Sequence, residues 1–416
     1  MKKPELLIPA GGLETLKVAV DYGADAVYIG GNRFGLRAKA DNFTHDEMKE
    51  AVSYTHSHDV KLYVTTNIYA HNEDIEKAEA YFEELRDLGV DAVLISDPGM
   101  FSIASKVLDN SDTEIHISTQ ANNTNYMTYR FWHDMGATRV VAARELSLKE
   151  IKDIRNNIPE SLEIEAFIHG AMCISYSGRC LLSNYFTGRD ANRGACTHPC
   201  RWKYAVVEEN RPGEYLPVEE DERGTYIFNS KDLCMVDKIP DLIDAGIDSF
   251  KVEGRMKTNL YVATTARTYR EAIDDYFESP ELYKSKIEHY KREISMCTMR
   301  DFTRGFYYGK PSEEDQIYDN NTYMQNAVYM GRVEKINEDG SIEIYQKNKF
   351  SVGDVLEIML YSGDNLSIQI TDIIDEYGNA QSSAPHPKQK LKVFYKNVAI
   401  DGSKKVSSGM VLRSIV

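Results

Sequence analysis

Through the first two-thirds of the chain, short apolar runs alternate with stretches in which apolar residues return every three or four positions. The runs predict strands at Leu6–Pro9, Ala26–Gly30, Leu62–Thr66, Ala92–Ser96, Ile115–Thr119, Val140–Ala143, Ile164–Ile168 and Ser249–Glu253. The stretches between them predict amphipathic helices such as Leu13–Tyr22, His45–His56 and Ile75–Leu88. Val- and Ile-rich strands separated by helices imply parallel βαβ units. A weak repeat marks the re-entry into the sheet: Gly23-Ala24-Asp25, Gly89-Val90-Asp91, Gly136-Ala137-Thr138 and Gly246-Ile247-Asp248 each follow a helical pattern. The glycine suits the left-handed conformation that ends a helix. Eight such units predict an α/β fold of the (β/α)8, TIM-like barrel type, with a doubly wound open sheet as the competing arrangement.

The seventh unit departs from the pattern. After Ile168 the expected helix gives way to an insertion, 171–239, holding most of the cysteines and a charged stretch, Glu208–Arg223. In a barrel this insertion leaves the C-terminal end of a strand, where active sites form. Past the eighth strand, Thr258–Phe277 and Pro280–Met299 read as helices. From about Asn321 the period shortens, and Val328–Ile336, Ser341–Gln346, Asp354–Leu360, Leu366–Ile374, Lys390–Phe394 and Met410–Ile415 predict a small β-barrel. The expected domains are therefore 1–320 and 321–416.

Charge narrows the function. The formal net charge of -16 argues against loose, non-specific nucleic-acid binding. Within it lies a basic island, with Arg179, Arg189, Arg193, Arg201 and Lys203 against Asp190 alone. Tyr185, Phe186 and Trp202 interleave with those arginines, which pairs stacking faces with phosphate-binding groups. The competing reading is packing of the aromatics around the cysteines. No apolar run approaches a signal peptide or membrane span, so a cytoplasmic protein with reduced thiols and no membrane partner is expected.

Four of the six cysteines, Cys173, Cys180, Cys196 and Cys200, fall in one segment with spacing C-x6-C-x15-C-x3-C; Cys234 and Cys297 lie outside it. Soft thiolates at this density suit zinc or an iron–sulfur cluster, against the plainer reading of small buried side chains. Paired C-x2-C hooks are absent, as are a phosphate loop, an H-E-x-x-H helix and a G-x-S-x-G elbow. Predicted strand ends carry Asn67, Gln120, Arg144, Glu165, His169, Lys251, Glu253 and Arg255. Arg144, Lys251 and Arg255 suit carboxylates, and Glu165, His169 and Glu253 suit proton transfer, with structural ion pairs as the alternative for each. Arg37 and Lys39 follow the second strand as weaker candidates.

The run Glu165-Ala166-Phe167-Ile168-His169-Gly170-Ala171-Met172-Cys173, continued by Ser177-Gly178-Arg179-Cys180-Leu181-Leu182-Ser183, resembles the signature of the U32 peptidase-like family. Pro9-Ala10-Gly11, Gln120-Ala121-Asn122 and Lys251-Val252-Glu253-Gly254-Arg255 fit the same family, and the likeness runs nearly the whole chain. The runs Cys196–Tyr204 and Tyr226–Cys234 resemble its RNA-hydroxylating branch most. That resemblance implies 5-hydroxylation of the wobble uridine of tRNA, with tRNA as partner; the interleaved Arg189, Arg193, Arg201 and Trp202 are then the expected contacts. It also implies a 4Fe–4S cluster and dependence on prephenate as a small-molecule hydroxyl donor or its precursor. Cys173, Cys180 and Cys196 would be ligands, with Cys200 preferred and Cys234 the alternative as the fourth. An electron donor and a complex with a related U32 protein are further implied partners. Two other functions stay open: the peptidase of the family's older label, with His169 and Cys173 or Ser175, and a scaffold or electron-transfer role in a hydroxylation complex.

Overall fold

The computed structural model describes residues 2–34, 42–173, 175–176, 180, 182–189, 191, 196–197, 199, 205–206, 216–217, 229–311, 316–317, 324–398 and 405–416. Contacts divide the chain into two compact units. The first comprises Met1–Leu13, Asp25–Arg255 and Arg300–Thr322; the second comprises Glu14–Ala24, Met256–Met299 and Tyr323–Val416.

The first unit holds eight parallel strands: β1 Glu5–Pro9, β2 Ala26–Gly30, β3 Lys61–Thr65, β4 Ala92–Ile95, β5 Glu114–Ile117, β6 Arg139–Val141, β7 Glu163–Ala171 and β8 Ser249–Val252. Each pairs with the next, and β8 pairs with both β7 and β1, closing the barrel. The closed ring rules out the open sheet and bears out the predicted barrel. The helices named here are α1 Leu13–Asp21, α2 His45–His56, α3 Ala78–Leu88, α4 Pro98–Val107, α5 Tyr126–Asp134, α6 Leu148–Asn156, α7 Ile239–Asp244 and α8 Asn259–Glu278. Capping boxes start α2 at Thr44 and Glu47 and α6 at Ser147 and Glu150, satisfying amides that a helix start leaves unpaired.

The repeat has a physical basis. Gly23, Gly89, Gly136 and Gly246 all take positive φ. Asp25, Asp91 and Asp248 accept hydrogen bonds from the backbone N–H of Leu6 (2.8 Å), Leu62 (2.7 Å) and Ile164 (2.8 Å) on the preceding strand. Each aspartate therefore ties two neighbouring strands together at their N-terminal ends.

Beyond β7 the pattern changes as expected. The short strand Asp232–Cys234 runs antiparallel to β7, with Cys234 opposite His169, Leu233 opposite Gly170 and Asp232 opposite Ala171. The helix before β8 is the six-residue α7.

The second unit contains six antiparallel strands: β9 Ala327–Ile336, β10 Ile342–Gln346, β11 Val355–Met359, β12 Leu366–Ile374, β13 Lys390–Asn397 and β14 Val411–Ile415. They close in the order β11-β14-β9-β10-β13-β12, with β12 returning to β11. Alternate residues turn inward, so Ile342, Ile344, Leu356, Ile358, Ile368, Ile370, Leu391, Val393 and Leu412 form an aliphatic core. The predicted helix Pro280–Met299 is divided into Pro280–Ser285 and Ile287–Ile294, followed by the strand Thr298–Met299. Lys286 stands at the break, where its ammonium reaches Asp275 (2.8 Å) and Glu271 (3.2 Å) on α8. A tertiary pairing of this kind overrides local helix pattern.

Candidate active site

The inward positions of β7 are Glu163, Glu165 and Phe167, and those of β8 are Ser249 and Lys251, so the barrel interior is polar on this side. Arg139 of β6 lies buried among three carboxylates: Glu5 at 2.6 Å, Glu163 at 2.6 Å and Glu165 at 3.3 Å. Glu5 also accepts from Tyr63 Oη (2.7 Å) and Ser249 Oγ (2.8 Å). Burial pushes the Glu5 carboxyl up, but the Arg139 charge and these donors outweigh it and hold the pKa at about 2. One layer higher, Lys251 Nζ is 2.5 Å from Glu165 Oε1 and sits over the Tyr28 ring at 4.5 Å. Both side chains are closed off from solvent, and burial lowers the lysine pKa against the pull of Glu165. His116 lies in register with Arg139, its ring 4.9 Å from that of Tyr63, bonded to Glu114 at 2.9 Å, with its pKa lowered by burial and then by Arg139.

Toward the C-terminal ends of the strands, Arg144 becomes the central group. Its Nη1 donates to Ala171 O (2.7 Å), its Nη2 lies 3.4 Å from Glu253 Oε2, and its guanidinium stacks 3.9 Å from the Phe167 ring centre. A small cavity is lined here by Arg144, Phe167, Met172, Leu233, Arg304 and Tyr307. Tyr307 Oη donates to Phe167 O (2.5 Å), and Arg304 bonds Cys234 O and Asp237 Oδ2. His169 is buried; its carbonyl accepts Glu253 N (2.8 Å) and its ring packs 5.8 Å from Phe302. Gly170, at φ 108°, is required where a Cβ would lie 2.5 Å from Glu253 O. Arg255 is buried on the opposite flank, donating to Thr65 Oγ1 (3.0 Å), where a Cβ at Gly30 would strike its guanidinium. Asn67 Nδ2 donates to Ser118 Oγ (3.1 Å), and Gln120 lies in the single turn Thr119–Ala121.

The predicted candidates thus fall into separate groups. Glu165 and Lys251 pair with each other inside the barrel. Arg144 and Glu253 pair beside β7, near His169. Arg255, Asn67 and Gln120 belong to other strand ends. Arg139, Glu5, Arg304 and Tyr307 were not anticipated as site residues. For Arg139 the available signal was a charge at an inward position of a strand, the same one carried by Glu163, Glu165 and Lys251.

Cys173, Cys180 and Cys196 are not joined in disulfides. Desolvation is the leading cause that raises the Cys173 pKa, the Ser175 amide and Arg144 oppose it, and Cys180 and Cys196 raise it further. Cys234 is buried and not joined in a disulfide. Between Cys180 and Cys196, the short helix Leu182–Thr187 is pinned to the second cysteine's neighbour: Ser183 Oγ accepts from Thr197 N (3.0 Å) and lies 2.9 Å from Thr197 Oγ1. That helix exposes Tyr185 (82%) and Phe186 (42%), ring centres 5.1 Å apart, with exposed Arg189 beyond them. Cys200, Arg193, Arg201, Trp202, Arg37 and Lys39 lie outside the described residues.

The fold and site define a (β/α)8-barrel protein with a thiol-bearing loop at the C-terminal end of β7. The model described as Peptidase family U32 matches residues 11–317, and that described as Peptidase family U32 C-terminal domain matches residues 325–413. The chain belongs to peptidase family U32. It is 42% identical over 392 residues to tRNA hydroxylation protein P1 of Bacillus subtilis (strain 168), covering 94% of this chain and 92% of that protein. It is 37% identical to tRNA hydroxylation protein P of Escherichia coli (strain K12), covering 92% of each. The 23S rRNA 5-hydroxycytidine C2501 synthase of Escherichia coli (strain K12) is 32% identical, covering 88% of this chain and 50% of that protein. Among the described residues, no helix is long and apolar enough to cross a membrane.

Proposed function

We propose that this chain is an RNA-hydroxylating enzyme that acts on tRNA and adds the hydroxyl at carbon 5 of the wobble uridine. The observation that carries this reading is likeness over more than nine-tenths of the chain to two proteins named for tRNA hydroxylation. The rRNA 5-hydroxycytidine synthase extends the same chemistry to a second pyrimidine. The exposed Tyr185–Phe186 pair with Arg189 supports an RNA substrate, because base stacking and phosphate contact need those groups together. A wobble base is already largely unstacked, which lowers the cost of drawing it into a pocket.

We assign a 4Fe–4S cluster to this segment on the softness of its thiolate donors; among the described residues alone, no three His, Cys, Asp or Glu side chains gather as a metal-holding group. Cys173, Cys180 and Cys196 would hold it, with Cys200 or Cys234 as the fourth ligand. Pairing of the Cys234 strand with the end of β7 supports Cys234. When bound, such a cluster supplies one-electron transfer. Arg144, held against Phe167 and the carbonyl of Ala171, and Arg255 are the cations we assign to a carboxylate-bearing hydroxyl donor such as prephenate. Glu253, oriented by Arg144 at its Oε2, and His169 are assigned to proton movement. To Glu165 and Lys251 we assign a structural role, since each already neutralises the other in the interior.

The test is nucleoside mass spectrometry of total tRNA from a gene-deletion strain with and without the restored gene. The expected result is loss of 5-hydroxyuridine and its derivatives on deletion and their return with the gene. Unchanged levels in the deletion strain would reject the proposal.

A further inference from the structure

The second unit carries a charge pattern that the proposed chemistry does not use. Residues 344–352 and 384–392 contain five lysines, Lys347, Lys349, Lys388, Lys390 and Lys392, and no Asp or Glu, in a chain of net charge -16. The two segments are neighbours in space. Tyr345 is opposite Lys390 in the β10–β13 ladder, and the pairing continues past the strands through Gln346 N to Gln389 O (3.0 Å) and Lys388 N to Gln346 O (2.9 Å). Leu391 and Val393 point into the core, which turns Lys390 and Lys392 outward.

Lys349, Lys388 and Lys390 are exposed. Lys347 lies 4.7 Å over the half-buried ring of Tyr345, with Glu14 at 3.9 Å as its nearest acid. Lys392 stands at the far end of the ladder, where Asp339 takes it at 2.6 Å and Glu343 is its register partner. Asp339 and Glu343 thus lie at one end of the two strands, and the other end presents cations around one aromatic face, with Glu14 beside Lys347.

From this we infer that the Lys347–Lys349–Lys388–Lys390 end of the C-terminal barrel, with Tyr345, binds the sugar–phosphate backbone of the RNA substrate. The inference rests on the RNA reading above and adds a second contact, carried by the other compact unit of the chain. Ammonium groups within a small area match successive phosphates of one strand, and the aromatic face suits a sugar or base. An anionic membrane fits less well, because the two segments expose one large aliphatic side chain, Val352, and the whole chain is acidic.

Filter binding of an unmodified tRNA transcript to the full-length protein, across a range of salt, tests the inference. The charge-reversal variant Lys349→Glu/Lys388→Glu/Lys390→Glu is compared with native protein, with circular dichroism melts confirming that both are folded. Each phosphate contact contributes roughly 0.7–0.9 to the slope of log affinity against log salt. The variant is therefore expected to lose about two to three from that slope and at least about tenfold in affinity at low salt. Lys349→Gln/Lys388→Gln/Lys390→Gln, which removes charge without reversing it, should fall between the two. Native affinity and slope in both variants, with tRNA still bound by native protein, would overturn the surface and leave the RNA reading standing. Absence of tRNA binding by native protein at any salt would overturn both. Flotation of native but not reversed protein with phosphatidylserine vesicles, with equal tRNA binding by both, would assign the patch to membranes and overturn the inference.

Discussion

The chain closes two barrels and fills them in opposite ways. The six-stranded barrel packs its interior with Ile, Leu and Val, whereas the eight-stranded barrel buries Arg139, Glu165 and Lys251 beside Tyr28 and Tyr63, with Glu5 partly buried at its edge. Aliphatic filling is non-directional and gives stability directly. Buried ions carry a desolvation penalty and hold only when each is partnered, so their value lies in orientation. Here the charged layers rise from Arg139 through Glu165 and Lys251 to Phe167, and Phe167 is the platform on which Arg144 stacks. A polar interior thus sets the positions of side chains at the strand ends, which the apolar one has no need to do.

That contrast can be broken at several points. Lys251→Met leaves the Glu165 carboxylate with Arg139 alone, and loss of one buried partner should destabilise the protein by about 3–5 kcal/mol in urea titrations. Adding Glu165→Gln should recover much of that loss; no recovery would mean that the two residues are not energetically coupled. In the aliphatic barrel, Ile368→Ala should cost about 2–5 kcal/mol. The amount of modified nucleoside per folded molecule should stay unchanged, because only packing is lost. Gly170→Ala forces a Cβ against Glu253 O and should cost about 1–3 kcal/mol, with nucleoside output falling further than the loss of folded protein explains.

The smallest effect is in acid. Glu5 has a folded pKa of about 2 against an ordinary value of 4.5, so the unfolded chain takes up a proton that the folded chain refuses. Its contribution is complete above pH 4.5 and is lost as pH falls toward 2. His116, lowered from 6.5, removes stability in the same direction as pH drops below 6.5. Urea midpoints from neutral pH downward should show a shallower acid limb for Glu5→Gln than for the native chain.

Much of the barrel was legible in the chain. Its strands are short Val- and Ile-rich runs, its helix ends carry glycines at positive φ, and the cysteines lie where the seventh repeat breaks. These signals are local in sequence. The interior network was not legible, because Arg139 and Glu5 are 134 residues apart and meet only when β8 pairs with β1 and closes the ring. Arg304 was missed for the same reason: its partners Cys234 and Asp237 precede it by about 70 residues. The break at Lys286 depends on acids of α8, which helical periodicity alone does not register.

The most direct test compares Cys173→Ser with Lys251→Met in the deletion strain, reading 5-hydroxyuridine in tRNA per folded molecule together with the melting temperature. The account predicts that Cys173→Ser abolishes the nucleoside while the melting temperature stays near native, and that Lys251→Met lowers the melting temperature with the nucleoside per folded molecule reduced but not lost. Full modification by Cys173→Ser would contradict it.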